Sequence, residues 1–283
     1  MNVLLDPLVL RMLLAGLVVG VAAPIVGTYL VQRRMALLGD GIGHVALAGV
    51  AAGWLAGSIA GLAERDALAL PGAIIFAVAG AMIIERMRAR GTAAADVVMA
   101  ILFYGGIALG VLLIGASGGT SNNLLGYLFG SISTVSWPDV WVSVVLAGVI
   151  IVIGVGLRRA LFAVTHDQEF AKASGLPVNV LNMVVAVLAA VTITVSMRVV
   201  GVLLVSALMI VPVAIAQLLT QSFNRTMLIA MALGAVLTLT GIVITLYVNL
   251  QPGALIVVLG VATYAVVSTA SAMRRKRLSG SSR

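Results

Sequence analysis

The sequence predicts an all-α fold, a polytopic transmembrane bundle of about eight or nine membrane-spanning helices. Hydrophobic residues make up 62% of the 283 residues and charged residues only 9%, with a mean hydropathy of +1.21. A soluble domain carries about 25% charged residues, so a chain this apolar suits lipid rather than water. The 31 glycines favour close helix packing, and the lack of cysteine excludes disulfides and thiolate metal sites.

Nine apolar segments are candidates for the spans. The first follows Asp6 and Arg11 and lacks a small-residue cleavage site, which predicts a retained span rather than a signal peptide. The sixth and seventh are separated only by Met197 and Arg198, so one of them is expected to be short or re-entrant. The segments cover roughly residues 8–30, 42–61, 67–85, 94–115, 137–157, 178–196, 199–220, 226–247 and 253–272.

The positions of lysine and arginine predict the orientation of the chain. With the N-terminus outside and nine crossings, the inner loops hold all but three of the 17 basic residues, the exceptions being Arg11, Arg65 and Arg198. Basic loops face the cytoplasm, so the N-terminus is predicted outside and the C-terminus cytoplasmic. The net charge of +8 therefore indicates topology and no nucleic-acid partner. Residues 1–273 are predicted to form one transmembrane domain and residues 274–283 a basic, disordered cytoplasmic tail.

Two connections between spans differ from ordinary loops. Residues 116–136 are uncharged, rich in Gly, Ser and Asn and partly apolar, which favours a partly re-entrant segment buried in protein. Residues 158–177 form the longest charged loop. Within this loop, Asp167 is placed to cap a short helix that ends at Gly175 and Pro177, and Glu169 and Lys172 are spaced to pair at i,i+3.

One carboxylate is not explained by a loop or a span end. Asp96, at the start of a span, suits the helix dipole and is interpreted as structural. Asp40 lies in LLGDGIGHVALAG, and His44 follows four residues later. On a helix the two side chains share one face, about 5–6 Å apart at Cβ. A carboxylate oxygen and an imidazole nitrogen suit Zn²⁺, Mn²⁺ or Fe²⁺.

The spacing alone leaves a structural alternative open. Asp40 would then be a helix N-cap at the inner surface, and His44 a hydrogen-bonded interior histidine. The pair is also incomplete, because a stable zinc site has about four ligands. Two ligands suit a transit site, which must release its ion.

Missing motifs exclude several activities. The two lysines, Lys172 and Lys276, are not part of a G-x-x-x-x-G-K-[ST] loop, so the chain is predicted not to be an enzyme and, in particular, not to be an ATPase itself. The sequence has no G-x-S-x-G or H-E-x-x-H motif. His166, beside Asp167 in the charged loop, is expected to be a surface or cap residue.

Five stretches of the chain together resemble one protein family. They are RRMALLGDGIGHVALAGVAAG (33–53), LGYLFGSI (125–132), DQEFAKASGLPV (167–178), VGVLLVSALMIVPVAIAQLL (200–219) and NLQPGALIVVL (249–259). In this order they resemble the permease subunits of zinc/manganese/iron ABC importers. The resemblance implies a bacterial inner-membrane permease that works as a homodimer, with cytoplasmic ATP-binding subunits and an extracytoplasmic metal-binding protein.

The resemblance also assigns the metal residues. Asp40 and His44 match the positions thought to bind the ion in transit, and no permanently bound cofactor is implied. Many manganese-type members have Leu-Pro-Gly after the histidine, whereas this chain has Leu47-Ala48-Gly49, which is closer to zinc-type members. The expected substrate is therefore zinc, with manganese or iron as alternatives.

A second group of residues matches the helix that couples such permeases to the ATPase. This coupling role falls on Asp167, Glu169, Phe170 and Gly175. Two rival functions stay open at this point. One is an ABC permease for a larger metal chelate, and the other is a stand-alone secondary transporter, against which the coupling-helix-like loop argues.

Overall fold

The protein is described by a computed structural model over residues 6–62, 65–90, 95–117, 126–130, 135–197, 200–248 and 250–280. These residues are almost entirely helical and include no β-strand, which confirms the predicted all-α class. The helices are α1 (Pro7–Gln32), α2 (Leu38–Ile59), α3 (Ala69–Arg90), α4 (Ala95–Ala116), α5 (Trp137–Gly156), α6 (Arg158–His166), α7 (Gln168–Ala173), α8 (Val178–Ser196), α9 (Val202–Leu219), α10 (Phe223–Thr245) and α11 (Pro252–Gly280).

Eight helices in the described part of the chain are long and apolar enough to cross a membrane. They are α1 to α5, α8, α10 and α11. The seventh predicted segment forms α9, whose 18 residues, Val202–Leu219, make it one residue shorter than α8. It is separated from α8 by a break at which Gly201 has a φ of +90°, a conformation that favours glycine.

Two helices hold the bundle together. α1 packs against α5, α8, α9 and α10, while α2 packs against α3, α4, α8 and α9. Glycines allow the closest of these crossings. A Cβ on Gly20 would lie 2.7 Å from the carbonyl oxygen of Gly234, and a Cβ on Gly49 would overlap the carbonyl of Gly72. Direct backbone contact of this kind replaces the hydrophobic driving force that is missing in lipid.

The part of the predicted re-entrant segment that the structure describes around Tyr127 is buried or half-buried. A single helical turn occupies residues 126–129, and Tyr127 is 7% exposed. Its ring packs edge-on against Trp54 of α2, with 5.2 Å between the ring centroids. Residues 126–130 are thus buried or half-buried, in agreement with the prediction, whereas residues 118–125 and 131–134 lie outside the described residues.

The C-terminal end differs from the prediction. α11 continues to Gly280, so most of the tail that was expected to be disordered is helical. Basic residues favour the C-terminal end of a helix through its dipole, and this extends α11 beyond its apolar part. The side chain of Asp96, interpreted as structural, lies outside the described residues. The outside and cytoplasmic positions of the two termini stay predictions.

Candidate metal-transit site

Asp40 is not a helix N-cap. The cap of α2 is Leu37, which makes no side-chain hydrogen bond, and Asp40 lies inside the first turn. Its carboxylate instead accepts a hydrogen bond from the Ser206 hydroxyl of α9. The structural alternative that assigned Asp40 a capping role is therefore wrong, and the carboxylate faces a neighbouring helix.

Ser206 is a site residue that the sequence analysis did not single out. It is 7% exposed, and its Cβ would lie 3.2 Å from a Cβ built on Gly39. Glycine at position 39 therefore lets α9 approach α2 closely enough for the hydroxyl to reach Asp40. The sequence signal was a lone hydroxyl in the apolar run VLLVSALMIV. A polar side chain at such a position marks functional sites in membrane helices.

His44 lies one turn after Asp40 and is 8% exposed. Its ring packs edge-on against Phe103 of α4, with 4.2 Å between the centroids. Gly106 permits this approach, since a Cβ there would be 2.7 Å from the carbonyl carbon of His44. The Nδ1 atom of His44 is buried and has no hydrogen-bond partner among the described residues. Most buried polar atoms are hydrogen-bonded, so this nitrogen is available to a ligand.

A cavity adjoins Asp40 between α2 and α4. Its volume is about 240 Å³. It is lined by Leu37, Asp40, Gly41, Met99, Ala100, Phe103 and Tyr104. A water molecule occupies about 30 Å³ of liquid, so this space accommodates an ion with part of its hydration shell. No group of three or more His, Cys, Asp or Glu residues is assembled within the described part of the chain.

The segment predicted to couple the chain to an ATPase forms two helices rather than a loop. Residues 158–166 form α6, which corrects the prediction of a charged loop over 158–177. Asp167 caps α7, and its carboxylate accepts a hydrogen bond from the Phe170 backbone N–H at 3.0 Å. Gly175 has a φ of +78°, and Leu176 N–H donates to the Ala171 carbonyl. These bonds close the helix end, so the predicted cap and end of the short helix are confirmed.

The side chains of this segment point in different directions. Phe170 is 66% exposed, while Ala171 is buried against the bundle. The predicted pairing of Glu169 with Lys172 is wrong, because the structure describes both side chains and places no ion pair between them. An exposed pair gains little in water and loses side-chain entropy. His166 ends α6 and stacks on Phe162 at 5.5 Å, which agrees with its prediction as a surface residue.

Nearly the whole chain matches a known transporter family. The match is to the ABC 3 transport family and covers residues 6–271. The chain belongs to this family. Together with the eight helices of membrane-spanning length in its described part, membership of the ABC 3 transport family confirms a multi-pass protein of the bacterial inner membrane.

Two relatives and one solved structure agree with that assignment. The manganese transport system membrane protein MntC of Halalkalibacterium halodurans is 30% identical and covers 90% of this chain and 84% of its own. The manganese import system permease protein ScaB of Streptococcus parasanguinis is 29% identical, with 87% and 84% covered. The solved structure of PsaBC from Streptococcus pneumoniae in complex with Fab matches with a TM-score of 0.81 at 28% identity, covering 93% of this chain and 91% of that chain.

The comparisons confirm the predicted resemblance to ABC importer permeases. They do not confirm its zinc-type refinement, because both named relatives are named for manganese. The roles assigned to Asp40, His44 and the α7 residues stay predictions.

Proposed function

We propose that this chain is the membrane-spanning permease subunit of an ABC importer, and that its substrate is a divalent transition-metal ion. The observation that carries the proposal is the position of a half-buried Asp40 and a buried His44 one turn apart on α2. The Asp40 carboxylate accepts a hydrogen bond from the Ser206 hydroxyl, and the buried Nδ1 of His44 has no hydrogen-bond partner among the described residues. The names of the relatives support a metal substrate independently.

The donor set suits an ion that must be released. A carboxylate oxygen and an imidazole nitrogen are ligands that Zn²⁺ and Mn²⁺ both accept. Ser206 occupies one carboxylate oxygen of Asp40, which leaves the other oxygen for the ion. Two protein ligands hold an ion less tightly than the four of a structural zinc site, and water in the adjoining cavity completes the coordination.

Two ions are candidates for the substrate. Leu47-Ala48-Gly49 after the histidine favours zinc through the resemblance to zinc-type permeases. The names of the relatives favour manganese. Binding strength alone favours zinc, because sites with nitrogen and oxygen ligands bind Zn²⁺ more tightly than Mn²⁺.

The proposal includes partners. A cytoplasmic ATP-binding subunit would dock on α7, and an extracytoplasmic protein would deliver the ion. A second copy of the chain would face the cavity beside Asp40, where Leu37 is 67% and Tyr104 69% exposed. That copy would add donors to a site that has only two in one chain.

Uptake by reconstituted vesicles tests the proposal. The chain with its separate ATP-binding subunit should accumulate Zn²⁺ or Mn²⁺ only when ATP is supplied, and competition between the two ions identifies the substrate. Metal accumulation by the chain alone, without an ATPase, would contradict the importer and favour a stand-alone transporter. ATP-dependent accumulation of neither Zn²⁺ nor Mn²⁺ would contradict a metal substrate.

A further inference from the structure

The turn between α1 and α2 carries the chain from one helix to Asp40. It ends α1 with two hydrogen bonds, from Arg34 N–H to the Val31 carbonyl and from Met35 N–H to the Leu30 carbonyl. Helices that end in this way usually place glycine at the left-handed position. Here Arg34 holds that position with a φ of +56°. A non-glycine residue in this conformation is strained and needs support from its surroundings.

Two side-chain contacts support this turn from neighbouring helices. The Arg33 guanidinium donates to the Asn182 Oδ1 of α8 at 2.7 Å. The Arg88 guanidinium of α3 contacts the Met35 sulfur at 3.0 Å and the Glu85 carboxylate at 3.5 Å. Glu85 and Asn182 are 4% and 5% exposed, so each arginine reaches from a partly exposed position to a buried polar group. The turn is therefore fixed to α8 on one side and to α3 on the other.

Arg33 keeps its charge at neutral pH. Burial lowers the pKa of Arg33 to about 10, with Arg88 adding to the shift and Glu85 opposing it. Arg33 is therefore protonated at pH 7 and donates to Asn182. An interior arginine without such an acceptor would lose its hydrogen bonds with water and gain nothing in return.

Asn182 connects the turn to the coupling segment. It lies in α8, which begins at Val178 directly after the connection that follows α7. Asn182 lies four positions after Val178, a rise of about 6 Å along a continuous helix. A displacement of α7 therefore moves Asn182 with it, and the hydrogen bond passes that displacement to Arg33 and the turn before Asp40.

We infer that Arg33 and Asn182 are positioning residues that transmit movement of the coupling segment to Asp40. The inference rests on the proposed function. It predicts that breaking the bond separates ATP hydrolysis from ion movement, while the metal residues themselves stay intact. A residue with only a structural role would lower the amount of active transporter without changing the number of ions moved per ATP.

The test uses Asn182→Leu in the complete transporter, reconstituted in vesicles with Zn²⁺ and, in parallel, Mn²⁺. We expect the number of ions moved per ATP hydrolysed to fall about tenfold, which lies within the range for residues that couple two sites. Asn182→Asp keeps an acceptor for Arg33 and should restore the ratio. Asn179→Leu makes the same change at an exposed position three residues earlier and should leave the ratio unchanged.

Three results would overturn the inference. They are a ratio for Asn182→Leu equal to that of Asn179→Leu, equal losses in Asn182→Leu and Asn182→Asp, and loss of metal binding in step with transport. Should Asn182→Leu fail to insert, Arg33→Met, which has no donor, removes the same hydrogen bond from the other side and must lower the ratio likewise. Failure of the proposed function would instead appear as normal uptake by Asp40→Asn.

Discussion

Replacing Asp40 by asparagine should lower metal uptake at least about a hundredfold, because loss of a direct ligand exceeds the 10- to 100-fold cost of losing a supporting partner. Asparagine keeps the size of the side chain and an oxygen that accepts from Ser206. The change therefore removes charge while the contact between α2 and α9 persists. Uptake is measured per correctly inserted molecule, so that any loss of stability is separated from loss of transport.

Matched variants make this result specific. Asp6→Asn makes the same substitution at the exposed N-cap of α1, where asparagine caps equally well, and should transport normally. His44→Ala should abolish uptake, whereas His166→Ala at the surface should not. Ser206→Ala should lower uptake about tenfold, an intermediate effect. The change keeps the Asp40 carboxylate but removes the hydrogen bond that orients it. Normal uptake by either Asp40→Asn or His44→Ala would contradict the proposed site.

Replacing Phe170 by alanine should uncouple the ATP-binding subunit. Phe170 is 66% exposed on α7 and has no packing role that accounts for an aromatic side chain at that position. An aromatic anchor in an interface contributes about 2 kcal/mol, so the affinity of the permease for its ATPase should fall roughly 30-fold. Co-purification of the two subunits and metal-stimulated ATP hydrolysis measure the effect.

Trp141→Ala is the control for this change. Trp141 is also aromatic and 66% exposed, but it lies on α5 outside the coupling segment. Its replacement should leave the ATPase affinity unchanged. Gly175→Ala should have a smaller effect than Phe170→Ala, because a Cβ there meets no neighbour and only the φ of +78° is strained. Equal binding by Phe170→Ala and wild type would remove α7 from the ATPase interface.

Most of the fold could be predicted because lipid leaves few conformations for a membrane-spanning segment. Each of the nine predicted apolar segments overlaps a helix of the structure, and eight of these helices are long and apolar enough to cross a membrane in the described part of the chain. The cap and the end of α7 could also be predicted from the sequence, because Asp167 and Gly175 affect only residues close to them along the chain. The helical state of residues 158–166 was missed because charged residues were interpreted as a loop, although an amphipathic helix at a membrane surface carries them as well.

The supporting residues of the site could not be predicted from one sequence. Asp40 and His44 are four residues apart, so helical spacing brought them together. Ser206 is 166 residues from Asp40, and Asn182 is 149 residues from Arg33. Contacts at such separations depend on how α8 and α9 pack against α1 and α2, which local patterns do not encode. Glycine at position 39 was visible in the sequence, but its partner was not.

X-ray absorption of bound zinc tests the central claim most directly. The purified transporter, without the extracytoplasmic binding protein, is loaded with Zn²⁺, and the scattering around the ion is compared between wild type and His44→Ala. The account predicts an imidazole contribution in the wild type that disappears in the variant, together with weaker binding in Asp40→Asn. Identical spectra from wild type and His44→Ala would contradict it.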